Sequence, residues 1–197
     1  MPTASPSSLP SQLAAYRQGF LDRKETARAL VDGVPDDVLA AAPAPDAWSV
    51  LQCLDHLNTT GWLLLERMEP VLQDAMQHGP KGTPPFRYGL VSRWFVRLMD
   101  PEDAFSIPAP ASYQPDPAST LRASETVQAF LHLQDTFADC MAKANGVDLR
   151  AVRVGSPALP LLRISAGAWM EATLLHETRH LQQAERALDA VAKSAAS

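Results

Sequence analysis

Apolar side chains recur at helical spacing in four stretches of the chain. The first spans about 9 to 32, with Leu13, Tyr16, Phe20, Ala27 and Leu30 on one stripe, and Gly33 and Pro35 supply stop chemistry behind it. The second spans about 49 to 78, with Leu54, Leu57, Gly61, Leu64, Met68 and Leu72 on its stripe. Its start is well marked: Ser49 and Gln52 stand at capping-box spacing, and Trp48 and Cys53 occupy the flanking apolar positions. Gly79 and Pro80 close it. The third spans about 120 to 145 through Leu121, Val127, Phe130, Phe137 and Met141, with Gly146 as its stop. The fourth spans about 165 to 193 through Trp169, Met170, Leu174, Leu181 and Leu188, with Ser165 as N-cap.

Four helices of this length and few strand signals predict an all-α chain, a four-helix bundle forming one domain over residues 1–197. The link between the second and third helices, 79–119, is long and holds eight of the 17 prolines. A short helix is expected inside it, over 87–99, where Leu90, Trp94, Val96 and Leu98 cluster. A connection that long either serves function or covers one end of the bundle.

Composition narrows the function classes. The formal charge is −5, from 17 basic and 22 acidic residues, with no Lys/Arg cluster of the kind a nucleic acid or an anionic membrane requires. Neither a nucleic-acid nor a membrane partner is expected. Cys53 and Cys140 lie within helical patterns, without a CxxC partner, and read as free buried thiols. Residues 2–11 are small, polar and Pro-containing rather than basic and then apolar, and no stretch reaches ~18 consecutive apolar residues, so a cytoplasmic location is expected.

The chemistry concentrates in His176-Glu177-Thr178-Arg179-His180. Two histidines four apart share one helix face, with Cβ atoms ~5–6 Å apart, within reach of one ion at ~2.0–2.1 Å per Zn–N bond. The run also matches H-E-x-x-H, in which Glu177 would be the general base of a zinc protease. Arg179 between the histidines, no downstream His, and an acid (Glu185) on the same helix count against that reading. Glu177 and Arg179 are expected chiefly in helix-surface ion pairs with neighbours such as Glu185 or Arg186, with substrate contact as the alternative. A third ligand then has to come from another helix. His78, at a helix C-terminus, and His132, off the apolar stripe, read as surface residues.

Trp48-Ser49 followed by Gln52, His56 and Leu57 near the start of the second helix, combined with His176, Arg179, His180 and Gln183 in the last, resembles the DinB/YfiT-like superfamily. The Ala-Pro-Ala region around 109 fits as well. The resemblance implies a bundle with a three-histidine metal site, whose ligands by position are His56, His176 and His180. Gln52 stands where the family often carries an acid, and it, Arg179 and Gln183 are the candidates for contacts around the ligands or in the pocket.

Three neutral imidazoles leave a tetrahedral ion one open position, as reactive sites do, and zinc or nickel suits three nitrogens. The superfamily that this chain resembles includes enzymes that use a low-molecular-weight thiol, which implies a metal-dependent transferase, or a hydrolase acting through activated water. The partner would be a small-molecule substrate, and analogy suggests a homodimer. The competing reading is a metal-binding or sensing module without turnover.

Overall fold

The computed structural model describes residues 9–102, 113–159 and 161–195. The Ala-Pro-Ala region around 109 lies outside the described residues. The chain is predominantly helical: α1 Ser11–Val31, α2 Asp36–Ala40, α3 Val50–Gln77, α4 Leu90–Met99, α5 Ala123–Lys143 and α6 Ala166–Ala195. Two three-residue strands, β1 Arg153–Gly155 and β2 Arg163–Ser165, pair antiparallel with Val154 opposite Ile164. No helix among the described residues is long and apolar enough to cross a membrane.

The four long helices pack along one another, α1 and α3 each against both α5 and α6. Most of the expected stripe residues face inward, but Leu30, Val127, Leu174 and Leu188 are only partly buried, and Leu121 precedes α5, which starts at Ala123 rather than near 120. Leu13, Tyr16, Phe20 and Ala27 of α1 are buried, as are Leu54, Leu57, Gly61, Leu64, Met68 and Leu72 of α3. Phe20 and Phe137 stack between α1 and α5, ring centroids 4.7 Å apart. Gly61 lets α5 come close, because a Cβ there would lie 2.5 Å from Leu133 Cδ2. α1 ends at Val31 with Asp32 as its C-cap, and Gly33 turns the chain with a φ of 69°, a left-handed conformation that costs glycine little.

The capping box at the head of α3 is complete. Gln52 N donates to Ser49 Oγ at 3.2 Å, and Ser49 N donates to Gln52 Oε1 at 3.1 Å. This fixes the first turn of the helix that carries His56.

Neither α2 nor the β1–β2 hairpin was expected. α2 follows Pro35, with Asp36 and Asp37 complementing the helix dipole and Leu39 buried. The hairpin joins α5 to α6 and anchors the start of α6, where Trp169 Nε1 donates to Val154 O at 3.1 Å. Ser165, expected as an N-cap, closes β2 directly before α6, and its hydroxyl lies 3.4 Å from Ser92 Oγ of α4. The short helix in the long connection begins at Leu90 rather than at 87, and it does not bury its apolar residues together. Ser92, Phe95 and Val96 face inward, whereas Leu90 and Trp94 are 75% and 60% exposed.

Candidate metal centre

His56 belongs to the second turn of α3, and His176 and His180 lie one turn apart on α6. The packing of α3 against α6 brings the three rings together. Each offers a ring nitrogen, and these nitrogens all lie within 4.8 Å of one another. Ring centroids are 5.1 Å apart for His56 and His176, 4.5 Å for His56 and His180, and 4.6 Å for His176 and His180.

Two contacts orient the rings. His56 Nδ1 meets the backbone carbonyl of Tyr113 at 2.5 Å, and His180 Nδ1 meets Gln183 Oε1 at 3.0 Å. Both partners are acceptors, so each Nδ1 carries the proton and each Nε2 keeps its lone pair. His56 Nε2 and His176 Nε2 face each other at 3.2 Å. Two nitrogens bound to one tetrahedral ion at ~2.0–2.1 Å are about 3.3 Å apart, so the spacing suits a shared cation. The Trp48 indole walls the site, its ring centroid 5.0 Å from His56 and 5.6 Å from His180.

The electrostatics favour neutral rings. Burial lowers the pKa of His56, against a raising contribution from the Tyr113 carbonyl. His176 is held well below the ordinary histidine value, by burial first and then by His180, His56 and Arg179. Burial, with His56 nearby, brings His180 down to about 4. Three unprotonated imidazoles converging on one point are a donor set for a borderline divalent ion, and they could hold one.

The remaining predicted residues fall into place differently. Gln183 touches a triad histidine, as expected of a supporting residue. Gln52 serves the helix cap, and its Nε2 donates to Asp116 O at 3.3 Å. The contact it might have made to His56 is supplied instead by the Tyr113 carbonyl, a backbone group without a sequence signature.

Glu177 and Arg179 do not form the surface pairs expected with Glu185 or Arg186. Glu177 is 1% exposed, and its Oε1 accepts from Gln134 Nε2 of α5 at 2.9 Å. Burial pushes its carboxyl up to about 8, so it enters the core protonated at neutral pH. Arg179 donates to the carbonyls of Leu98 at 3.3 Å and Asp100 at 2.5 Å, tying the end of α4 to α6. His78 and His132 are exposed; His78 Nδ1 lies 3.1 Å from Asp74, and His132 lies beside Trp62. Cys53 is buried and Cys140 half-buried, both free, with burial raising their thiols to about 12 and about 11. Neither is a ready nucleophile.

The sequence model of the DinB superfamily matches residues 21–184, a span that includes all three histidines. No curated protein and no solved structure matches the chain. The match covers most of the chain, which belongs to the DinB superfamily.

Proposed function

We propose that this DinB-superfamily protein is a metalloenzyme whose divalent ion, zinc or nickel, is held by His56, His176 and His180. The observation that carries the reading is the paired orientation of the rings: Nδ1 of His56 and of His180 is tied back to an acceptor, which turns Nε2 toward the common point. Three protein donors leave one position for substrate. The ion would supply positive charge that favours the deprotonated form of a thiol or a water at that position.

The chain's own residues support a reaction in which the nucleophile comes from outside. Both cysteine thiols are held protonated. Glu177 is committed to Gln134, which argues against its use as the base of an H-E-x-x-H protease. A low-molecular-weight thiol, or water, is therefore the proposed nucleophile, and a small electrophile the second substrate. Trp48 shields two of the rings and Tyr113 orients one.

The test is metal analysis of protein made without a histidine tag, paired with conjugation assays using a panel of thiols. The expected result is close to one ion per chain, lost in His56→Ala, His176→Ala and His180→Ala, with thiol-dependent turnover that follows metal content. No metal uptake would sink the site. Stoichiometric metal without turnover on any thiol or ester would leave a binding module instead of an enzyme.

A further inference from the structure

Residues 113–116 lie across the first turns of α3 and are held there at both ends. At one end the Tyr113 side chain is buried, and its carbonyl accepts from His56 Nδ1 at 2.5 Å. At the other, Asp116 N donates to Asp55 Oδ2 at 3.0 Å, and Asp116 O accepts from Gln52 Nε2 at 3.3 Å. Gln52, Asp55 and His56 stand at i, i+3 and i+4, so they share one face of the helix. All three hydrogen bonds fall on backbone atoms of the segment.

The segment is stiff. Pro115 and Pro117 have fixed φ and restrict the conformations of Gln114 and Asp116 before them. Where Asp116 is held therefore bears on where the Tyr113 carbonyl lies. That carbonyl matters to a cation. A histidine free to turn offers either ring nitrogen; one whose Nδ1–H is bonded to a fixed acceptor offers Nε2 alone. Asp55 is no part of the donor set, yet it ties down the backbone that orients one of the donors.

We propose that Asp55 is a positioning residue for the metal centre: by accepting from the Asp116 amide it holds the 113–116 strap, whose Tyr113 carbonyl turns His56 Nε2 toward the ion. This role rests on the metal reading above. The coupling runs both ways. A cation on Nε2 polarises the imidazole, strengthens Nδ1–H as a donor and so tightens the strap.

The test pairs zinc affinity of the full chain, measured by competition with a chromophoric chelator, with hydrogen exchange at the Asp116 amide, in the parent, Asp55→Ala and Asp55→Asn. Asp55→Ala should weaken zinc binding about tenfold, the lower end for loss of support to a ligand histidine. Asp55→Asn keeps an acceptor for the Asp116 amide while removing a charge whose field also reaches His56, and it should recover most of the lost affinity. Zinc should slow exchange of the Asp116 amide in the parent and in Asp55→Asn, and not in Asp55→Ala. The exchange readout in the parent and Asp55→Asn decides even if Asp55→Ala does not fold. A parent that takes up no zinc removes the metal reading and this role with it. With zinc bound by the parent, equal affinity in Asp55→Ala overturns the role alone. So does Asp55→Asn as weak as Asp55→Ala, which would mark an effect of charge, or Asp116 exchange indifferent to zinc in the parent.

Discussion

Glu177 carries two histidine neighbours and yet takes its character from the core. Its Oε2 is buried without a partner, as are Gln134 Oε1 and Arg23 Nε nearby, so an ionised carboxylate at this position would be poorly solvated. The linkage has a definite sign. A carboxyl whose folded pKa rises from 4.5 to about 8 contributes stability that is complete below 4.5 and lost as pH climbs through 8. Glu177→Gln removes that loss while keeping shape and the capacity to accept from Gln134. Denaturant melts at a series of pH values should show the variant gaining on the parent from pH 4.5 to 8, by on the order of a few kcal/mol at the upper end. A difference independent of pH would mean that the carboxyl is ionised in the fold. A charged residue is expected at the surface by default, which is why this burial could not be read from the H-E-x-x-H string.

At the scale of elements, the contact most exposed to a single methyl group is that between Tyr88 and the start of α6. Gly167→Ala would place a Cβ 2.1, 2.7 and 2.9 Å from three atoms of the Tyr88 ring and hydroxyl, so the ring has to leave and the Tyr16 hydrogen bond goes with it. The expected cost is about 1–3 kcal/mol, read as a lower Tm. Tyr88→Ala in the same chain should make Gly167→Ala nearly neutral; additive effects of the two changes would refute direct conflict. The long helices were legible because each carries a stripe that repeats over many turns. α2 has five residues and β1 and β2 three each, too few for any period to register. α4 was legible as a helix but not in its orientation, since apolar residues on both sides leave open which side meets the core. His176 and His180 were legible as residue types at helical spacing, whereas His56 and Gln183 were legible only through the family resemblance, since nothing in spacing alone ties residue 56 to the last helix. Tyr113 was not, because its contribution is a carbonyl from the long connection.

For the whole molecule, the triad couples the fold to protons and to metal. In the metal-free chain His56, His176 and His180 all titrate below the ordinary 6.5, and His180 near 4. Between those values the unfolded histidines bind more protons than the folded ones, so their contribution to stability is complete above pH 6.5 and falls as pH drops toward 4, opposite in sign to that of Glu177. The decline should be shallower in His180→Ala, as measured by urea midpoints across that range. An ion that binds only the folded chain opposes it: at a free concentration 100 times Kd the gain is ~2.7 kcal/mol, or roughly 5–10 °C in Tm for a chain of this size. Calorimetric scans with and without added zinc or nickel should show that rise in the parent and not in His56→Ala.

The indole ring resting on two triad imidazoles also makes the site visible to light. Trp48 lies 5.0 and 5.6 Å, centroid to centroid, from His56 and His180, so a paramagnetic occupant such as nickel would sit close enough to drain its excited state. Dimming of the ultraviolet emission during nickel titration, absent in Trp48→Phe although the other three tryptophans still glow, would make occupancy readable in the cuvette without a substrate.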